Sequence, residues 1–414
     1  MITGTSYQAS VPHAVKLARS DSTPVYRLLG NLLLALQLVG FPLVASLAEL
    51  FGFQSGELSA AFRAMVVALA LTVMMWSIGR GRYRMDAAIV FFFAIYSVRL
   101  IYDYGYTTLP DIDAALPFFL AVVLVPTLAM GGVRDWYDEA TFLRLSLVIG
   151  VLGGLMTAIV LAITATAAIL PQDYVDRATL EFLNPISIGY HGLFLAVAGV
   201  ILLAKHRRKF WDLISIAAIA LGGYLLVVSG SRGPFVALLL GLMLTGAANR
   251  RANAAYAFTG LVVAAAVAYV GLPEGVVARF RDIGDTSTQQ RIEAVWLSFD
   301  LMLENPLVGF GYIEPITGLY PHNLLIEAGL ALGLVGAAMM AWMQISLLVN
   351  AWRHAQHGDW AIPFLAAAML ANAWISGAIW GSALFFMLLW LLRETPVMRQ
   401  VDERRPAAAK LVRQ

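Results

Sequence analysis

The stretch NPISIGYHGLFLAVAGVILLAKHRRKFWDLISIAAIALGGYLLVVSGSRGPFVALLLGLMLTGAAN, residues 184–249, sets the class of fold. It holds three apolar runs, 184–204, 211–229 and 232–249, with two short polar breaks between them. Each run is close to the roughly 20 residues that a helix needs to cross a hydrocarbon core. Apolar and polar residues do not alternate along them, which excludes the strands of a membrane barrel. The first break carries Lys205, Arg207, Arg208 and Lys209, whereas the second, Ser229-Gly230-Ser231-Arg232-Gly233-Pro234, is a helix-breaking hexapeptide with a single cation. Clustered Lys and Arg stay in the cytoplasm, so the hexapeptide faces the other side.

Similar runs extend outward in both directions: 30–50, 61–79, 85–102, 114–131 and 142–170 before the stretch, then 254–272, 321–349, 361–377 and 380–393 after it. The expectation is an all-α polytopic membrane protein of about twelve spans, the last two so tightly joined that they could form one broken helix. A composition of 60% hydrophobic and 13% charged residues agrees. The predicted organisation is a cytoplasmic tail (1–29), nine transmembrane helices (30–272), a polar loop (273–320), three further helices (321–393) and a basic cytoplasmic tail (394–414). The first apolar run reads as an uncleaved signal anchor. The sequence has no cysteine, so disulfides, thiolate metal sites and cysteine nucleophiles are excluded.

With the N-terminus in the cytoplasm, most of the 28 Lys and Arg residues sort to that side. The exceptions are Arg63, Arg99, Arg177, Arg232, Arg279, Arg281 and Arg291, all on the outer side or at outer helix ends. His191 and His322 are the histidines that face outward. The long polar loop is therefore extracytoplasmic. Within it, Ile292, Val295, Trp296, Phe299 and Leu303 recur at helical spacing, predicting an amphipathic helix from Gln289 to Glu304 that Asn305-Pro306 ends. Its apolar stripe should pack against the membrane face of the protein or lie in the interface itself.

Arginine keeps its charge, and its planar fork binds phosphate oxygens in pairs. Arg232 stands where Pro234 can open a helix whose first amides favour an anion. It is either a phosphate ligand at the outer surface or a snorkelling residue that pins a tight hairpin. Arg279 and Arg281 sit among Asp282 and Asp285 and can pair with them. His322, between Pro321 and Asn323, could take a proton from a hydroxyl near neutral pH or could cap the next helix. Glu327 shares the helix face of Asn323, and an acid within an apolar span has a partner or a task. Asp111-Ile112-Asp113 reads as solvated loop, and the sequence has no phosphate-binding Walker loop, zinc-protease motif or serine nucleophile elbow.

Together these segments resemble the O-antigen ligase and polysaccharide polymerase superfamily. The likeness is carried by Asn184-Pro185 with Gly189, Ser231-Arg232-Gly233, Arg291 with Trp296, Asn305-Pro306-Leu307 with Gly309-Phe310-Gly311, and Pro321-His322-Asn323 with Glu327. It covers about the middle third of the chain. The resemblance implies an inverting glycosyltransferase of the bacterial inner membrane that needs no metal or other cofactor. Its donor would be a glycan on undecaprenyl pyrophosphate, and its acceptor lipid A-core (a ligase) or a lipid-linked repeat unit (a polymerase). Nucleic acid is not among its partners. It further implies that Arg232 and Arg291 hold the pyrophosphate and that His322 activates the acceptor hydroxyl. Arg99, Arg177, Arg279 and Arg281 are further donor-binding candidates on the same side of the membrane. Ser231, Asn323 and Glu327 are expected in support. The chain ends at Gln414 soon after its last apolar run, unlike the longer family members that glycosylate proteins, and the ligase is the favoured reading. A secondary transporter is the rival, but it would put ionisable residues at mid-span and repeat one half of the chain in the other. A non-catalytic scaffold would leave the outward arginines and His322 without a role.

Overall fold

A computed structural model of the protein describes residues 24–53, 55–107, 112–133, 136–167, 183–205, 209–253 and 286–393. The expected span at 254–272, the first part of the polar loop, Asp111, Arg177, Arg279, Arg281, residues 1–23 and the C-terminal tail lie outside the described residues. No strand occurs among the described residues. The helices are α1 (Pro24–Phe51), α2 (Ser55–Gly79), α3 (Ala87–Tyr106), α4 (Ile112–Phe118), α5 (Val125–Val133), α6 (Glu139–Ala167), α7 (Pro185–Lys205), α8 (Lys209–Val228) and α9 (Arg232–Ala248). After the gap come α10 (Thr286–Glu304), α11 (Leu324–Gln356), α12 (Ala361–Ile375) and α13 (Ala383–Leu392). A π-helical turn, Phe119–Leu124, joins α4 to α5 so that the two form one crossing. Among the described residues eight helices are long and apolar enough to cross a membrane, and α9, α12 and α13 are shorter apolar helices. The protein is thus helical, polytopic and membrane-embedded. The last two expected runs are separate helices, divided by the 3-10 turn Ile379–Gly381.

Helix α7 is the hub, buried on nearly all sides from Ile188 to Leu202. Hydrophobic driving force between helices is weak in lipid, so close backbone approach at small residues must hold them. At the α7–α8 crossing a Cβ on Gly192 would lie 2.6 Å from the Gly222 carbonyl oxygen, and one on Gly222 would lie 2.5 Å from the Gly192 oxygen. Larger residues cannot share that crossing. The N-terminal part of α7 thereby stands against the turn between α8 and α9, which carries Arg232.

Helix α11 is interrupted. Gly333 has φ 68° and ψ −161°, a combination close to one that only glycine adopts readily. The sequence presents 321–349 as one apolar run and gives no sign of the break. The segment Asn305-Pro306-Leu307-Val308-Gly309-Phe310-Gly311 docks into it. Leu334 N–H donates to the Pro306 carbonyl at 2.8 Å, and Phe310 N–H donates to the Leu330 carbonyl at 2.6 Å. Backbone groups freed by a broken helix in a membrane need such partners, since lipid supplies none. What read as a loop motif is a plug for a helix break.

The plug is held from the side by α3. Arg99 pairs with Asp103 at 3.0 Å, and its guanidinium donates to the carbonyls of Val308 and Phe310. Asp103 also accepts the Tyr312 N–H at 3.0 Å. Glu327, fully buried, accepts the Ile379 N–H at 2.9 Å and the Tyr96 hydroxyl at 3.2 Å. One face of α3 therefore fixes the plug and the leading half of α11, and Glu327 of α11 in turn holds the turn before α13.

The amphipathic helix begins at Thr286 and ends at Glu304, close to the expected bounds. Its stripe does not pack on the protein as one of the two expectations had it. The buried positions are Ala294, Ser298 and Met302, and Ile292 and Trp296 are 53% and 62% exposed. Small residues let α10 lie close against α11, where a Cβ on Gly329 would meet Met302 Sδ at 2.3 Å. The large apolar side chains point away from that contact, towards the interface and the cavity described next.

Candidate functional site

One large cavity, of about 1040 Å³, opens where α7, the α8–α9 turn, α10, the 320–322 segment and the C-terminal end of α12 meet. Arg232, Arg291 and His322, far apart in sequence, all line it, with Ser231 beside them. Leu38, Phe41, Phe194, Met369 and Leu384 supply apolar wall. Cations and an imidazole thus share the space with a greasy surface, which suits a ligand that has an anionic head and a hydrocarbon body.

Each polar residue is placed by a local device. Arg232 opens α9 just after Gly230, whose φ of 57° turns the chain at the end of α8. Gly189 on α7 makes room for that turn: a Cβ there would stand 2.7 Å from both Ser229 Oγ and Pro234 Cγ. Gly189→Ala is therefore expected to displace the turn. A shift of about 1 Å in a positioning group costs on the order of 10²-fold in rate, so kcat/KM should fall by about that much. Melting temperature and turnover measured on the same purified preparation check this; a wild-type rate would separate the turn from the chemistry. Ser231 takes the N-cap position with φ −97° and ψ 123°, and its side chain makes no capping bond.

His322 has φ 55°, the one non-glycine residue with positive φ among the described residues. Outliers of this kind cluster at functional sites. Asn323, not His322, caps α11, accepting the amides of Leu325 at 3.0 Å and Ile326 at 3.2 Å. Freed from the cap role, the imidazole packs against the Tyr320 ring, tilted by 50° with 4.1 Å between centroids. Its Nδ1 is buried without a hydrogen-bond partner among the described residues. Burial, and then the nearby Arg291 charge, hold its pKa down at about 4. At neutral pH the ring is uncharged and can accept a proton.

The remaining candidates fall elsewhere. Arg99 and Glu327 do not line the cavity; they belong to the α3 clamp behind it. Asn323 acts on the α11 backbone. Arg177, Arg279 and Arg281 lie outside the described residues. Tyr190, Tyr320 and Asn372 line the cavity without having been singled out as site residues. Tyr190 directly follows Gly189, and Tyr320 closes the polar loop, so their neighbours were the available signal.

A membrane-embedded helical protein with a cationic, histidine-bearing cavity beside an amphipathic helix is the class that fold and site define. Comparison with known proteins narrows it. The O-antigen ligase family model matches residues 216–341, an interval that holds Arg232, Arg291 and His322. A curated relative, the O-antigen ligase of Pseudomonas aeruginosa, is 27% identical over 229 residues, which cover 52% of this chain and 53% of that protein. The chain thus spans about half the length of that relative. Both findings support the resemblance to the O-antigen ligase superfamily read from the motifs.

Proposed function

We propose that this protein is an inverting glycosyltransferase that moves a glycan from undecaprenyl pyrophosphate to an acceptor hydroxyl, and that it acts as an O-antigen ligase with lipid A-core as acceptor. The observation that carries the reading is the convergence of Arg232, Arg291 and His322 on one cavity that also has apolar walls. In the proposed reaction His322 takes the proton of the acceptor hydroxyl. The oxygen attacks the anomeric carbon from the face opposite the pyrophosphate, and the bond from that carbon to the pyrophosphate oxygen breaks. The leaving group gains one negative charge, which Arg232 and Arg291 stabilise where it develops. Two fixed guanidinium groups supply charge that a metal would otherwise supply.

The accompanying topology has twelve spans, both termini in the cytoplasm of an inner membrane, and residues 273–320 in the periplasm. The charge sorting supports it.

The test is gel analysis of surface polysaccharide in a deletion strain complemented with wild type, Arg232→Ala, Arg291→Ala or His322→Ala. Each variant should express normally yet leave long glycan on its lipid carrier and none on lipid A-core. Single repeats on core or carrier would instead identify a repeat-unit polymerase. Normal polymer from all three variants would sink the enzyme reading and favour a transporter.

A further inference from the structure

Tyr190 is a cavity residue that the proposed chemistry leaves without a task. Its side chain is 9% exposed, and its hydroxyl is buried with no hydrogen-bond partner among the described residues. An unpaired buried hydroxyl is costly, and phenylalanine would fill the same space without that cost. The hydroxyl borders the start of α9. A Cβ built on Gly233 would stand 3.9 Å from it and, apart from α9's own chain, would meet no other atom within 4 Å. Gly233 thus leaves room that a side chain would occupy, in the first turn of α9, where Pro234 carries no N–H and the Gly233 N–H has no intrahelical acceptor. Ser231 gives that N–H no side-chain cap, and the helix dipole favours an anion there.

We propose that the Tyr190 hydroxyl, the Gly233 N–H and the Arg232 guanidinium form one seat for a phosphate oxygen of a polyprenyl-pyrophosphate donor. Tyr190 donates to that oxygen, and Gly233 keeps open the space the oxygen fills. A hydrogen bond from a neutral hydroxyl to an anionic oxygen is stronger than one between neutral groups. The hydroxyl is shielded from water in the free protein and gains its partner with the ligand. This assignment rests on the donor reading given above and adds to it two binding groups, Tyr190 and the Gly233 backbone.

The experiment uses the full chain in lipid nanodiscs and undecaprenyl pyrophosphate itself as probe. Kd and melting temperature are measured for wild type, Tyr190→Phe, Gly233→Ala and Arg232→Ala. Tyr190→Phe should raise Kd roughly 10-fold while the melting temperature stays level or rises, because the variant removes an unpaired group. Gly233→Ala should weaken binding by a similar factor without loss of fold, since alanine is compatible with a helix and meets no protein clash. Wild-type affinity in both variants, with binding lost in Arg232→Ala, would overturn the seat and leave the donor reading standing. A melting temperature lowered by Tyr190→Phe would make the hydroxyl structural and would also overturn the seat. No binding by wild type would overturn both readings.

Discussion

Replacing His322 with asparagine is expected to lower kcat for glycan transfer by about 10²–10⁴-fold, the usual contribution of a general base. Asparagine is the sharper substitution because position 322 has φ 55°, and Asn tolerates that region while lacking a titratable ring. A loss in His322→Asn therefore cannot be ascribed to the backbone. The pH profile gives a second, independent reading. In the free protein His322 has a pKa of about 4, lowered first by burial and second by Arg291. Protonated imidazole cannot accept a proton, so activity is present above that pKa and lost as pH falls through it. The acid limb of kcat/KM, which reports the free enzyme, should lie near pH 4 and not near the usual histidine value of about 6.5. Bound pyrophosphate would offset the Arg291 charge and raise the pKa, so the acid limb of kcat should lie higher. Base strength would then increase once the donor is in place. Arg291→Gln should move the kcat/KM limb upward. Coincident limbs for kcat and kcat/KM, unmoved by Arg291→Gln, would detach His322 from proton transfer.

Much of this was legible in the sequence because membranes simplify the code. Length and hydropathy predict the spans, and the helical spacing of Ile292, Trp296 and Leu303 predicts α10. Arg291 and His322 drew their site roles from the family motifs they stand in, whereas Arg232 stood out as a charge between two apolar spans. Arg99 and Glu327 met the same test, and there the reasoning reaches its limit. Side of membrane tells where a charge sits, but not whether it faces a ligand or a carbonyl. Arg99 found Asp103 and the plug carbonyls, and Glu327 found the Ile379 amide. The break in α11 was hidden for a related reason. Gly333 looks like any packing glycine in 324–356, and only the tertiary docking of 305–311 reveals its φ of 68°.

The docked break also carries the largest stability effect expected in the molecule. Gly333→Ala should strongly destabilise the fold. Alanine at φ 68° and ψ −161° costs on the order of 1–3 kcal/mol in backbone strain alone. The new methyl would further stand 2.4 Å from the Pro306 carbonyl oxygen and 2.8 Å from its carbonyl carbon. Those are main-chain atoms, which cannot swing aside as a flexible side chain can. The plug must move, and the bond from Leu334 N–H to the Pro306 carbonyl moves with it. Gly309→Ala attacks the same joint from the other side, its Cβ falling 2.5 Å from the Leu330 carbonyl oxygen at φ 70°. Gly358→Ala is the control, because Gly358 has φ 89° but open space around its missing side chain. It bears the backbone strain without the clash. Thermal unfolding in detergent should rank wild type above Gly358→Ala and both well above Gly333→Ala and Gly309→Ala. The two plug variants should also lose transfer activity at temperatures where they remain folded, since the plug leads through 311–321 to His322. Equal melting temperatures for Gly333→Ala and Gly358→Ala would mean that strain alone matters and that the plug does not clasp the break. The break in α11 thus fastens the outer loop to the helix and holds the imidazole at the cavity wall.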